Sequence, residues 1–334
     1  MVLAEISPRA YEHPADRAAL SALRKVRGFD QMLRWLSGLF AGRSPRLLAL
    51  ASTVRVDDRQ FPAVHRLTQD GARMLDLAEV PEVFVSCDPR PNASTIGIDR
   101  PFLVLTSGLV DLLDEEELRF VIGHELGHVL SGHAVYRSML DALLALSRRV
   151  FFLPVGFLGL RALVTALEEW YRKSELSGDR AGLLAGQDPA AALRAQMKMA
   201  GGSRLGEMDI TAFLDQAREY DAQGDLRDGA LKLLSLQGQL HPFAVLRAAE
   251  LRRWVDGGDY ARILGGDYPR RGAEDEASVT DDAREAARSY KQTMDQSADA
   301  LIRLLRGVAE EAASVGQRVA DRMRANPDDR DTST

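Results

Sequence analysis

The chain has 334 residues, of which 46% are apolar and 28% charged, so it can bury one large core or two modest ones. Its formal net charge of −6 argues against a nucleic-acid-binding protein, which usually presents a basic face. The single cysteine excludes an internal disulfide and fits a cytoplasmic location, and the N-terminus lacks the basic and apolar regions of a secretory signal.

The first predicted elements are helices followed by a small sheet. Residues 1–46 have apolar side chains near helical spacing and are predicted to form an amphipathic helical segment. A second helix is predicted over Phe61–Leu77. Short extended runs separated by proline and aspartate follow, and they predict strands at Val83–Val85, Ser94–Ile98 and Phe102–Thr106.

The hydrophobic period changes at Asp114, where four acidic residues in a row mark a helix N-terminus. Apolar residues then recur at helical spacing, which predicts a helix that runs to about Arg137. Two more helices are predicted over Leu163–Leu184 and Pro189–Met199.

The longest apolar stretch, Phe151–Leu167, contains Pro154 and Arg161 and is at the short limit for a bilayer span. We interpret it as a buried helix or a membrane-touching hairpin, and therefore expect peripheral membrane contact at most. The cytoplasmic location predicted above thus includes association with a membrane surface.

The C-terminal part divides by composition into three segments. Residues 256–277 are glycine-rich and are predicted to be a linker, and residues 325–334 are predicted to be a disordered tail. Between them, residues 278–324 have apolar positions that step by three and four, which predicts a long amphipathic helix. This helix packs on the protein's own core or joins copies of the chain into a homo-oligomer.

The sharpest motif is His124-Glu125-Leu126-Gly127-His128. Residues four apart share one face of a helix, so both imidazoles can bind one zinc ion from a single rigid element. Glu125 then lies beside the metal, where it can take a proton from a bound water molecule. His133 follows on the same predicted helix but off this face, so it does not complete the site.

A catalytic zinc ion needs a third protein ligand, and the candidate is Glu175 on another predicted helix. Asp179 is four residues further along, so the two carboxylates share a face. One of them can bind the metal while the other accepts a hydrogen bond from a metal-bound imidazole and fixes its tautomer.

These motifs resemble, in order, those of the HtpX-like and CAAX-prenyl-protease family of gluzincins, and the resemblance covers residues 47–255. The matching pieces are Asn92-Ala93, Gly97, Ser107-Gly108-Leu109, Glu116-Glu117-Leu118, His124–His128, Gly132-His133, Glu175 with Asp179, His241-Pro242 and Arg247.

The resemblance implies a role for each matched residue. His124, His128 and Glu175 bind one zinc ion per chain, and Asp179 supports a zinc-bound histidine. Glu125 is the catalytic base, and His241 stabilises the developing oxyanion. Arg247 is expected to pair with a carboxylate near the site. Asn92, Ala93 and Ser94 lie on an edge strand along which a peptide or protein substrate binds.

The chain departs from the family at two places. Ser177 and Gly178 stand where the family usually has Glu and Ala before Asp179. Only 151–167 is apolar in the interval where membrane-type members have spanning helices.

We therefore expect a predominantly helical α+β protein, a zincin-like metallopeptidase core with a small β-sheet and a long C-terminal helix. The expected activity is that of a zinc-dependent endopeptidase. The alternative is a non-proteolytic metal-binding scaffold or chaperone-like adaptor that assembles through residues 278–324, and that alternative leaves Glu125 without a use.

Overall fold

The structure is a computed structural model that describes residues 1–24, 44–149, 157–222 and 243–272. This part of the chain contains eleven α-helices, four short strands and two single 3-10 turns. The strands are β1 (Val54–Arg55), β2 (Val83–Ser86), β3 (Ala93–Ile96) and β4 (Phe102–Thr106). The helices are α1 (Pro14–Arg24), α2 (Ser44–Ser52), α3 (Pro62–Met74), α4 (Ser107–Leu112), α5 (Glu115–Leu130), α6 (His133–Arg149), α7 (Phe157–Gly186), α8 (Pro189–Gly201), α9 (Ile210–Ala222), α10 (Ala244–Asp256) and α11 (Asp259–Leu264). The expected fold class, predominantly helical α+β, is confirmed.

The four strands form one mixed sheet in the order β1-β2-β4-β3. β2 and β4 are parallel, whereas β1 and β3 pair antiparallel with their neighbours. The three strands predicted from the sequence are confirmed, but β3 ends at Ile96 rather than Ile98. Gly97 follows with φ +113°, a backbone conformation that glycine adopts readily and that turns the chain away from the sheet. β3 is consequently a short strand at the sheet edge.

Particular residues fix both ends of helix α5, which carries the histidine motif. The Asp114 side chain accepts from the main-chain N–H of Glu117, whose carboxylate accepts from the N–H of Asp114, which completes a capping box. The helix ends at Leu130 because Gly132 has φ +68°. The prediction of one helix to Arg137 is therefore wrong: His133 begins a new helix, α6, after a sharp turn.

Helices α5 and α7 cross at very short range because glycines line their contact. A Cβ atom added at Gly182 of α7 would lie 2.6 Å from the main-chain oxygen of Phe120 on α5. One added at Gly123 or Gly127 of α5 would lie 2.5 or 2.3 Å from an alanine Cβ of α7. This close approach brings a side chain of α7 within reach of the two motif histidines.

The N-terminal residues belong to the main core. Leu3, Ile6 and Tyr11 are fully buried there, and Ile6 forms an isolated β-bridge with Arg270. The prediction that the whole of residues 1–46 is helical is wrong for residues 1–13, whose one helical element is a 3-10 turn before α1 begins at Pro14. Residues 25–43 of this predicted segment lie outside the described chain.

Several predicted features fall outside the described residues, wholly or in part. These are His241, residues 273–277 of the predicted linker, the helix over 278–324, the tail and the first part of the apolar stretch 151–167. The rest of the predicted linker is not an extended connection: it contains α11, and its residues Tyr260, Ile263 and Tyr268 are buried in the main core. The second part of this apolar stretch forms the beginning of α7, where Ala166 and Leu167 are buried. Within the described ranges, no helix combines the length and the apolar composition needed to cross a membrane.

Candidate metal centre

Three buried side chains from two helices converge at the α5–α7 crossing. The Nε2 atoms of His124 and His128, one turn apart on α5, are 3.1 Å from each other. The Glu175 carboxylate on α7 lies 3.5 Å from the first and 3.4 Å from the second. Ligand atoms around a tetrahedral zinc ion with bonds of about 2.0–2.1 Å are separated by about 3.3–3.4 Å. The donor set therefore fits a tetrahedral ion with one position left for water or substrate.

Glu125 follows His124 in the chain and is buried beside it, with Oε1 3.9 Å from His124 Nε2. The Thr95 hydroxyl on β3 holds it in place: it lies 2.6 Å from Glu125 Oε2 and 3.1 Å from the main-chain oxygen of Glu125. The edge strand is thus tied directly to the predicted base. No sequence pattern pointed to Thr95.

A buried arginine, Arg137 on α6, stands between the two glutamates. One guanidinium nitrogen is 3.6 Å from Glu125 Oε2 and the other is 3.4 Å from Glu175 Oε1. The guanidinium lies 4.5 Å from the centre of the Tyr171 ring and donates to its hydroxyl. Its positive charge offsets two carboxylates that would otherwise repel each other in a dry site. Sequence reasoning missed both Arg137 and Tyr171.

Asp179 lies against His124, the histidine that stands first in the motif. Its Oδ1 is 3.1 Å from His124 Nδ1, so the imidazole can donate there and keep Nε2 free for a metal. Arg247 of α10 donates to both Asp179 oxygens at 2.8 and 2.5 Å, as expected for a carboxylate partner, and its third nitrogen is 3.2 Å from Glu175. The Gln196 amide also donates to Asp179, at 3.1 Å.

The surroundings set the protonation of the metal-free site. Burial alone would lower the pKa of His124, but the charge of Glu175 and the bond to Asp179 raise it to about 9. Burial lowers the pKa of His128 well below its usual value, helped by Arg137. Burial opposes ionisation of Glu175, yet His124 and Arg137 hold its pKa well below the usual range. The His124 imidazole and the Glu175 carboxylate therefore favour each other's charged forms, and binding of a metal at these atoms would require His124 to be neutral.

The remaining predicted residues lie near this centre or outside the described chain. Ala93 and Ser94 are on β3, and Asn92 precedes it and exchanges hydrogen bonds with Thr106. His133 does not join the three ligands, but its Nδ1 lies 2.9 Å from Nδ1 of His128. Within the described ranges, His124, His128 and Glu175 form the one cluster whose ligand atoms lie close enough together for a metal ion.

Comparison with known proteins points the same way. The model of peptidase family M48 matches residues 58–255. The chain is 33% identical over 260 residues to the plastoglobule-localized metallopeptidase 48 of Arabidopsis thaliana, a match that covers 76% of this chain and 74% of that protein. It is 28% identical over 131 residues to a protease HtpX homolog of Methanothermobacter thermautotrophicus, covering 36% of this chain and half of the relative.

A protease HtpX homolog of Tropheryma whipplei is 46% identical over a shorter stretch of 52 residues, which is 15% of this chain and 18% of that protein. No solved structure shows a significant match.

Proposed function

The chain belongs to peptidase family M48 and is a metalloprotease, and we propose that it cleaves internal peptide bonds with one zinc ion held by His124, His128 and Glu175. The observation that carries this proposal is the ligand triangle with edges of 3.1, 3.4 and 3.5 Å and a buried glutamate beside it. Two imidazoles and a carboxylate with an open position are a donor set typical of catalytic zinc.

Zinc at such a site would supply Lewis acidity, which polarises a carbonyl and lowers the pKa of a bound water molecule to about 7. We assign the proton transfers to Glu125. Its carboxylate takes a proton from the attacking water and delivers it to the nitrogen of the departing amine. The Thr95 hydroxyl donates to Oε2, so we assign the proton from the water to Oε1, which faces His124.

The substrate is a peptide or protein, and we propose that its backbone pairs with the β3 edge along Asn92, Ala93 and Ser94. This proposal is supported by the place of β3 at the end of the strand order and by the bond from Thr95 of the same strand to Glu125. Edge-strand pairing uses main-chain hydrogen bonds and therefore selects little by sequence. His241 remains a candidate donor to the oxyanion, and it lies outside the described residues.

The experiment that tests this function is cleavage of an unstructured protein such as casein by wild type, Glu125→Gln and Glu116→Gln. Glu116 is exposed on the same helix and is the matched control. General-base loss should lower the cleavage rate at least about 100-fold in Glu125→Gln, whereas Glu116→Gln should cleave as wild type does. Zinc content should be the same in all three. Cleavage by Glu125→Gln at the wild-type rate would refute the assignment.

We also propose peripheral membrane association through the apolar stretch 151–167. Support comes from its composition and from the printed name of the Arabidopsis relative, which is plastoglobule-localized. Wild type should co-sediment with phosphatidylcholine–phosphatidylglycerol vesicles, whereas a Phe151→Asp, Phe152→Asp double variant should stay in the supernatant. Equal binding of both proteins would refute a contact at this stretch. Self-association through residues 278–324 stays a prediction.

A further inference from the structure

The N-terminal segment, residues 1–24, reaches the back of the metal centre although it precedes the residues that the family model matches. Tyr11 is fully buried, and its hydroxyl donates to the main-chain oxygen of Gly127 at 3.3 Å and lies 3.0 Å from Ser131 Oγ. Asp16, in the first turn of α1, is 1% exposed. An aspartate in the first turn usually stabilises the N-terminus of its own helix, but the Asp16 side chain points into the protein.

Asp16 accepts two hydrogen bonds and has a histidine as its third polar neighbour. Trp170 Nε1 donates to Oδ1 at 2.8 Å, and Ser177 Oγ donates to Oδ2 at 2.6 Å. The Ser177 oxygen in turn accepts from the main-chain N–H of His13 at 2.8 Å. The third group is His133, whose Nε2 lies 3.3 Å from Oδ2. Trp170 and Ser177 act as donors, so Asp16 acts as the acceptor toward both.

The protons of the two histidines then have a single consistent arrangement once a metal is bound. A metal on His128 Nε2 leaves the proton of the neutral imidazole on Nδ1. That proton points at His133 Nδ1, 2.9 Å away, which must therefore be the acceptor. A neutral His133 that accepts at Nδ1 has its own proton at Nε2, and Asp16 is the group that this proton meets.

We propose that Asp16 is a positioning residue for the metal site, which orients His128 through His133; this inference rests on the proposed function. The carboxylate fixes the tautomer of His133, and His133 in turn fixes the tautomer and ring orientation of His128. His124 has its carboxylate, Asp179, in direct contact. His128 obtains the same support through one intervening imidazole, and the supporting carboxylate comes from the N-terminal segment. Ser177, one of the two departures from the family pattern, anchors it.

The test measures zinc affinity by competition with a chromogenic chelator for wild type, Asp16→Asn and Tyr11→Phe. Asp16→Asn keeps the size of the side chain but turns one of its two acceptor atoms into a donor. We expect its zinc dissociation constant to rise about 10–100-fold, the usual effect of losing a partner of a metal-bound histidine. Tyr11→Phe is the matched control: it breaks another buried contact between the same segment and α5, and its affinity should stay at the wild-type value.

Two further readouts separate positioning from a general structural role. If Asp16 acts through His133, the double variant Asp16→Asn, His133→Phe should bind zinc no more weakly than His133→Phe alone. Nitrogen-15 spectra of histidine-labelled, zinc-loaded wild type should show His133 protonated at Nε2 and His128 at Nδ1. These spectra need no variant, so they test the proposal even if Asp16→Asn does not fold.

The outcomes distinguish this inference from the proposed function. Zinc affinity of Asp16→Asn equal to that of wild type, or His133 protonated at Nδ1, would overturn the relay while leaving the three-ligand site intact. Wild type that binds no zinc would instead overturn the proposed function on which the relay depends.

Discussion

The close crossing of α5 and α7 predicts that alanine at Gly182 damages the metal site, while alanine at Gly186, one turn later, does not. The added Cβ at Gly182 would lie 2.6 Å from the main-chain oxygen of Phe120 and 3.1 Å from the main-chain nitrogen of His124. Relaxed C···O contacts are about 3.3–3.6 Å, so the helices must move apart by about 0.7–1.0 Å. At Gly186 the nearest atoms, also of Phe120, are 3.9 Å away, an ordinary contact.

The energies follow from two opposing effects. Alanine stabilises a helix interior by about 0.5–1 kcal/mol relative to glycine. Overpacking against a rigid backbone costs about 1–3 kcal/mol. We therefore expect Gly182→Ala to lower the free energy of unfolding by about 1–2 kcal/mol. We expect Gly186→Ala to leave it unchanged or raise it slightly, since the gain is smaller at the helix end.

The same movement should reach the metal, because His124 and His128 are on one helix and Glu175 is on the other. Functional geometry tolerates shifts of only about 0.5 Å. Zinc affinity should fall about tenfold or more in Gly182→Ala, comparable with loss of a supporting contact, and stay at the wild-type value in Gly186→Ala. Urea unfolding and chelator competition measure the two effects. Wild-type stability together with wild-type zinc affinity in Gly182→Ala would refute the argument that this glycine sets the helix spacing.

Three other outcomes follow from single contacts. Asp179→Asn should weaken zinc binding about 10–100-fold, measured by chelator competition, with unchanged affinity as the contrary result. Glu117→Ala should lower the free energy of unfolding in urea by about 3 kcal/mol, because it removes the carboxylate that accepts from the Lys198 ammonium at 2.6 Å. A loss below about 1 kcal/mol would contradict this. Burial lowers the pKa of His13; the nearby Arg180 lowers it further, and Glu250 opposes the shift. Below pH 6.5, His13 is therefore protonated in the unfolded chain but still neutral in the folded chain. Stability should therefore fall by up to about 1.4 kcal/mol per pH unit as the pH drops through that window, and the His13→Gln variant should lack this component of the slope.

The parts of the site that came from the sequence are those with a local signal. The motif histidines and Glu125 are separated by helical spacing, so one element determines their relation. The three strands and their turn residues are equally local. Glu175 is 47 residues beyond His128 in the printed sequence, and it was found because a catalytic zinc ion needs a third ligand and because the family resemblance assigned that ligand.

What the sequence did not reveal depends on contacts between distant segments. Arg137 has no distinctive neighbours along the chain, and it reaches the glutamates only because Gly132 ends α5 and redirects the next helix. Nothing in the spacing of Asp16 relates it to His133, 117 residues further on. The prediction of an uninterrupted helix to Arg137 failed for the same reason: the apolar period continues, but a single left-handed glycine changes its direction.

The glycines of the helix crossing show a related limit. Glycine inside a helical pattern weakens the prediction of a helix, and Gly178 stood out only as a departure from the family pattern. In the structure a Cβ there would lie 2.6 Å from the His124 ring, so the space that a side chain would fill belongs to a predicted ligand. The role of these glycines depends on the partner helix, which a local sequence pattern does not identify.

The measurement that tests the central claim most directly is the metal content of purified wild type, His128→Ala and Glu175→Ala, with Glu168→Ala, on the same helix as Glu175, as a control. The account predicts about one zinc ion per wild-type and Glu168→Ala chain, and loss of most of it from the other two. Retention of zinc by Glu175→Ala would contradict the third ligand, and wild type without metal after zinc is supplied would contradict the account as a whole.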